Sequence, residues 1–163
     1  MSEGIGARVL RKEDKRFITG KGRYTDDIIE ANQAYAAFVR SPHAHARIVS
    51  LDTSAALAME GVETVLTGPE LVADGIGNII CGWGITSKDG TPMNMGAWSA
   101  LATEKVRYVG DAVAIVVADS KSQAKLAAEA VVVTYEELPV VVGSVEALAP
   151  GAPQLHDNAP GNL

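Results

Sequence analysis

The stretch Ala112-Val113-Ala114-Ile115-Val116-Val117-Ala118, then Asp119-Ser120, then Lys121-Ser122-Gln123-Ala124-Lys125-Leu126-Ala127-Ala128-Glu129-Ala130, then Val131-Val132-Val133-Thr134-Tyr135, decides the fold. Its first segment is apolar at every position, which suits a strand buried on both faces. Asp119 or Ser120 can cap a helix, and Ala124, Ala127, Ala128 and Val131 recur at helical spacing. The β-branched run from Val131 is a returning strand, ended by Glu136-Glu137-Leu138-Pro139. A crossover of about a dozen residues is the minimum for parallel pairing, and such a pair should be right-handed. The reading therefore makes the two strands adjacent and central, with the alanine-rich helix packed closely across them.

Outward from this unit, Tyr35-Ala36-Ala37-Phe38-Val39-Arg40 suits a strand stopped at Ser41-Pro42. Ala46-Arg47-Ile48-Val49-Ser50-Leu51-Asp52 is a second strand and Val62-Glu63-Thr64-Val65-Leu66-Thr67 a third. Between them Asp52 or Thr53 can cap a short helix that Gly61 ends in the left-handed region. Gly68-Pro69-Glu70-Leu71-Val72 suits a helical turn with Pro near its start, and Ser144-Val145-Glu146-Ala147-Leu148 a last short helix. Residues 73–103 are irregular, with six glycines, Trp83, Trp98, Met93 and Met95. A long segment of this kind is usually functional or docked, and Asp89-Gly90 marks a hairpin turn in it. The expected class is α+β, a mixed sheet with one main helix. Residues 1–30 read as an extended arm, 31–149 as the domain and 150–163, rich in Pro and Gly, as a linker.

The chain has 163 residues, 47% hydrophobic and 21% charged, which excludes wholesale disorder. The apolar run 112–118 is the longest and is far too short to cross a bilayer. Met1-Ser2-Glu3-Gly4 begins no signal peptide, and a cytoplasmic location is expected. The single cysteine, Cys81, excludes an internal disulfide and a Cys-ligated zinc or iron–sulfur site. Net charge is −6, yet seven of the 14 basic residues lie between Arg8 and Arg23. A basic arm suits a negative partner surface. The acidic body and the scarcity of aromatics (Phe17, Tyr24) argue against nucleic acid.

Candidate chemical groups each have a blander explanation. His43 and His45 would share a strand face and could hold a metal, but a third ligand is missing, since His156 lies in the tail. Gly20-Lys21-Gly22-Arg23 lacks the strand, helix and Gly-Lys-Ser/Thr ending of a phosphate loop. Gly75-Ile76-Gly77 lacks the third glycine of a dinucleotide fingerprint. Cys81 has no adjacent base to lower its pKa. Asp26-Asp27 and Glu136-Glu137 point to opposite faces of a strand and make no acid/base dyad. No catalytic, cofactor-binding or metal residue is assigned.

Three stretches in order carry a resemblance: residues 11–28 (Arg-Lys-Glu-Asp-Lys-Arg-Phe-Ile-Thr-Gly-Lys-Gly-Arg-Tyr-Thr-Asp-Asp-Ile), Arg40-Ser41-Pro42-His43-Ala44-His45-Ala46-Arg47-Ile48, and Val106-Arg107-Tyr108-Val109-Gly110-Asp111-Ala112-Val113-Ala114. Together with Ala127-Ala128-Glu129 and residues 133–139 they resemble the α/β-hammerhead domain of molybdenum hydroxylase large subunits: the aldehyde oxidase, xanthine dehydrogenase and aerobic carbon monoxide dehydrogenase family. The arm looks closest to the carbon monoxide dehydrogenase branch.

The resemblance implies an oxidoreductase that hydroxylates carbon or oxidises carbon monoxide. It also implies molybdopterin, iron–sulfur centres and FAD in the whole enzyme, with none of them in this chain. Such subunits run several times longer, and their cofactor-holding groups and general-base glutamate lie downstream of this domain. No residue here matches those motifs, so an excised domain or a naturally split subunit is expected. The implied role is a non-catalytic scaffold or interaction domain. Its partners would be the remaining molybdenum-binding domain or subunit and the iron–sulfur and flavin subunits, with a dimer through the arm as a further option. A free-standing small-molecule binding module reusing the fold is the alternative. A swinging-arm carrier is disfavoured, because the neighbours of Lys88 do not look like a lipoylation or biotinylation site.

Overall fold

Alternating apolar side chains set the strands and small residues set the one long helix. The computed structural model describes residues 4–163, so the leader reading at Met1-Ser2-Glu3 lies outside the described residues. In chain order the elements are α1 (Asp14–Ile18), β1 (Tyr35–Arg40), β2 (Ala46–Asp52), α2 (Ser54–Leu57), β3 (Val62–Thr67), α3 (Gly68–Ala73), β4 (Lys105–Val106), β5 (Ala112–Ala118), α4 (Lys121–Ala130), β6 (Val132–Glu137) and α5 (Ser144–Ala147). The chain divides into two compact units between Gln33 and Ala34.

In the first unit α1 and a 3₁₀ turn at Thr25–Asp27 are the regular elements. The rings of Phe17 and Tyr24 stack with centroids 5.4 Å apart. A Cβ at Gly22 would run into the Phe17 ring, so glycine is what lets the chain cross there. Ile5, Val9, Leu10 and Ile18 are exposed.

The second unit holds two three-stranded sheets, β1-β5-β3 and β4-β2-β6, with antiparallel pairing throughout. β5 is central in its sheet, as its apolar pattern requires. It is not adjacent to β6, and the expected parallel pair does not form. β1 and β3 occupy both edges of β5, with Phe38 and Leu66 opposite Ile115 from either side. No edge is left for β6, which instead pairs with β2 at the edge of the other sheet. Its side chains alternate half-buried Val133 and Tyr135 with exposed Thr134 and Glu136, a pattern suited to a one-sided antiparallel strand. Two antiparallel sheets thus stand where one mixed sheet was expected.

Helix α4 runs over the residues expected and packs on the β1-β5-β3 sheet. Ser120 accepts a hydrogen bond from the Gln123 N–H at its start, 3.2 Å. Ala124 and Ala127 face the sheet, and Ala127 meets a cluster of Ala56, Val65, Ala114, Val116 and Val131. The opposite face of β5 puts Val113 into a second cluster with Ala46, Ala102 and Val106. Val39, Leu51 and Val133 pack against both clusters, which joins the two sheets through one core. No helix among the described residues is long and apolar enough to cross a membrane.

Candidate functional site

A concavity of the second unit sits where β4 leads into β5. Arg107-Tyr108-Val109-Gly110-Asp111 makes a tight turn there: the Arg107 N–H donates to the Asp111 carboxylate, 3.0 Å, and the Asp111 N–H to the Tyr108 carbonyl, 3.1 Å. Gly110 takes a φ of +94°, which a glycine adopts at little cost. Its N–H donates to the Ser41 carbonyl, 2.8 Å, and the Ser41 N–H donates to the Asp111 carbonyl, 2.8 Å. The Ser-Pro-His-Ala-His turn after β1 is thereby tied to the turn before β5, two of the stretches that carried the resemblance.

A cavity of about 130 Å³ opens beside this turn, lined by Trp98, Lys105, Arg107, Tyr108, Asp111 and His156 among others. Its wall includes the tail. Arg107 Nε donates to the Leu155 carbonyl, 2.9 Å, and Lys105 Nζ reaches both Asp157 oxygens, 2.9 and 3.0 Å. Asn162 Nδ2 donates to the carbonyls of Ala147 and Pro153. Residues 150–163 therefore lie hydrogen-bonded along the domain. Burial, and then the Arg107 charge, hold the His156 imidazole below its usual 6.5. The hydrogen bond and charge of Lys105 lower the Asp157 carboxyl below 3.8. Burial, and then Asp111, raise the Tyr108 phenol above 10.0. At neutral pH the site presents a neutral imidazole, a neutral phenol, a Lys105–Asp157 ion pair and an Arg107 guanidinium that donates to the Leu155 and Lys105 carbonyls.

The structure scatters the other candidates. His43 and His45 lie in the turn before β2, not on a strand face. His43 Nδ1 is 3.5 Å from Glu137 and its ring packs on Tyr135, centroids 4.9 Å apart. His45, 6% exposed, bonds through Nδ1 to the Pro139 carbonyl at 2.8 Å, and its Nε2 has no hydrogen-bond partner. No group of three or more His, Cys, Asp or Glu side chains among the described residues converges on one point. Gly22 leaves room for the Phe17 ring, and Gly20, at φ +70°, follows the end of α1. Gly75, at φ +76°, ends α3. Cys81 is exposed and its thiol donates to the Trp83 carbonyl, 3.6 Å. Asp27 accepts from the Tyr24 N–H, 2.8 Å, and Glu136 pairs with Arg47, 3.1 Å. Lys88 sits in the Ser87–Gly90 turn, as the Asp-Gly signal indicated.

These residues do not fit a molybdopterin group. The cavity is small beside the roughly 300–1,000 Å³ of sites for larger organic ligands, Lys105 is already paired with Asp157, and no glycine-rich turn opens a helix toward it. The Lys105–Asp157 and Arg107–Leu155 contacts were not legible in the sequence, because no local pattern links residues about fifty positions apart. Only the Arg107-to-Asp111 turn had a local signal, through Gly110.

The fold and this site define an α/β hammerhead. The chain belongs to the family described as aldehyde oxidase and xanthine dehydrogenase, a/b hammerhead domain, which matches residues 19–139. It is 42% identical over 97% of its length to the carbon monoxide dehydrogenase large chain of Hydrogenophaga pseudoflava, covering 18% of that protein. It is 40% identical over 98% of its length to the nicotine 6-hydroxylase large subunit of Paenarthrobacter nicotinovorans, covering 19% of it. Among solved structures, it superposes on quinoline 2-oxidoreductase from Pseudomonas putida 86 with a TM-score of 0.78 at 39% identity, over 93% of this chain and 18% of that one. On a Cu,Mo-CO dehydrogenase the TM-score is 0.71 at 41% identity, over 92% and 18%. The chain thus spans less than a fifth of the length of these relatives, all of them oxidoreductases.

Proposed function

We propose that this chain is a non-catalytic scaffold and interaction domain of a molybdenum hydroxylase large subunit, of the carbon monoxide dehydrogenase or aldehyde/xanthine oxidase type. The observation that carries this reading is the cavity at Arg107. In a domain of this family, Lys105, Arg107 and Asp111 are engaged with the tail and the turn, and no cluster of ligating side chains among the described residues is directed at a substrate. Their bonds tie the β1–β2 turn, the β5 turn and the tail into one rigid corner. We assign no catalytic, cofactor-binding or metal residue to the chain. Molybdopterin, iron–sulfur centres and FAD belong, in this reading, to the rest of a cytoplasmic enzyme. The basic residues between Arg8 and Arg23 suit an acidic or polar partner surface, with exposed Ile18 as an apolar anchor. Relatives that are multi-domain oxidoreductase chains do not favour a free-standing binding module.

The test is activity in trans. Dye-linked oxidation of carbon monoxide or of an N-heterocycle is measured with the molybdenum-binding polypeptide alone, this chain alone, and both. Turnover only with both is expected. Turnover by this chain alone, or full turnover without it, overturns the reading.

A further inference from the structure

Every residue from 72 to 98 is exposed. Yet this stretch carries Ile76, Ile79, Ile80, Trp83, Ile85, Met93, Met95 and Trp98, with Ile80 and Trp83 at 89% and 80% exposure. The segment is folded back on itself. The Ile79 N–H donates to the Trp98 carbonyl, 2.7 Å, Met93 to Ile85, 2.9 Å, and Ser87 to Thr91, 2.9 Å. Thr86 and Pro92 form an antiparallel bridge, and Gly90, at φ +87°, closes the turn. The result is a finger rooted where the Trp98 ring packs edge-on against Tyr108, centroids 6.3 Å apart. It is steadied on its return side by Asn94 donating to the Asn158 carbonyl. Between Gly75 and Thr103 its charges are Lys88 and Asp89, both at the tip.

Scattered exposed apolar residues are ordinary; a contiguous patch of this kind marks an interaction surface. Two tryptophans, two methionines and three isoleucines on a finger charged at its tip alone have the composition of an interface core. A charged tip on an apolar shaft suits insertion between the walls of another body, with the tip emerging into water. We propose that this finger, Ile79 to Trp98, docks in an apolar cleft of the molybdenum-binding remainder of a large subunit. The proposal rests on the assembly role above. Two observations select that occupant. The relatives match almost all of this chain yet extend about fivefold beyond it, so in them a domain of this kind is covalently joined to a much larger body. The finger is also nearly free of charge, which does not suit a nucleic acid, a polar solvent-facing role or the acidic surface that the basic arm fits.

Cys81, the one cysteine of the chain, lies on the exposed shaft and serves as a native probe. Its alkylation by iodoacetamide is followed by mass spectrometry of the Cys81 peptide. The full chain is measured alone and with the separately purified molybdenum-binding polypeptide of the same organism, with complex formation read by gel filtration. Alone, the thiol should react as an open one at every protein concentration. In the complex it should react at least tenfold more slowly. Ile80→Asp and Trp83→Asp, both on exposed side chains, should weaken the complex at least tenfold at an unchanged melting temperature. Leu126→Asp, on the outer face of α4, should leave it intact. A complex in which Cys81 reacts at the free rate overturns the finger as the interface while leaving the assembly role standing. Absence of any complex overturns the assembly role and the finger with it. Protection that rises with the concentration of this chain alone assigns the finger to a second copy, and concentration-independent protection assigns it to the chain's own body; either overturns the proposed occupant.

Discussion

Arg107 reaches across 48 residues of sequence to donate its Nε to the carbonyl of Leu155, 2.9 Å away. The same guanidinium stands near His156 and, with burial, disfavours its protonated form. In the folded chain the His156 imidazole should therefore titrate below 6.5, read from its ring proton shifts by NMR. Arg107→Gln should raise the midpoint part of the way, because burial is the larger cause. The unfolded chain takes up this proton first as pH falls through 6.5. Acidification from 6.5 down to the folded value therefore removes stability. Asp157 acts in the same sense below 3.8, as the Lys105 pair is lost. A midpoint at or above 6.5 contradicts the docked tail.

Ala127 lies fully buried between α4 and the central strand β5. Ala127→Leu adds volume where the helix already touches the sheet and should cost roughly 1–3 kcal/mol, seen as a lower melting temperature. Leu126, one position away and exposed, should accept alanine with little change. An unaltered melting temperature for Ala127→Leu contradicts the close packing of this face.

Gly61 adopts a φ of +78° just before β3, and a Cβ there would meet the side-chain amide of Gln123. That amide donates to the Glu60 carbonyl, 3.1 Å, and the Asp119 N–H donates to the Gly61 carbonyl, 2.9 Å. Gly61→Ala should cost about 1–2 kcal/mol from the left-handed backbone alone, measured by urea unfolding. Equal stability of the two proteins contradicts this turn geometry.

The basic arm offers trypsin seven sites between Arg8 and Arg23. If residues 1–30 gain their stability from a partner, limited trypsin should remove them from the isolated chain quickly, leaving a body that still melts cooperatively. An arm that resists trypsin in a monomer, or a body that unfolds on losing it, contradicts that assignment.

What the sequence made legible was local. The apolar run of β5, the spacing of Ala124 and Ala127, the Ser120 cap and the Asp89-Gly90 turn each depend on neighbours a few positions away. The partners of β5 do not. A strand apolar on both faces states that it is central, but not whose edges meet it, and β1 and β3 took both. The site divides in the same way. Gly110 is a local mark from which the Arg107–Asp111 turn could have been read, whereas the bonds from Lys105 and Arg107 to the tail depend on single atoms about fifty residues away, in a Pro- and Gly-rich segment that reads as a linker. His43 and His45 looked like a same-face pair only on the assumption of a strand. The turn before β2 sends one to Glu137 and the other to the Pro139 carbonyl.

The most direct test of the scaffold role is elemental and flavin analysis of the chain purified from cells that make the molybdenum cofactor. The account predicts no stoichiometric molybdenum, iron or flavin on the chain alone, because no group of three or more His, Cys, Asp or Glu side chains among the described residues converges on one point. Molybdenum should appear only in fractions that also contain the molybdenum-binding polypeptide. Stoichiometric molybdenum on the isolated 163-residue chain would contradict the account.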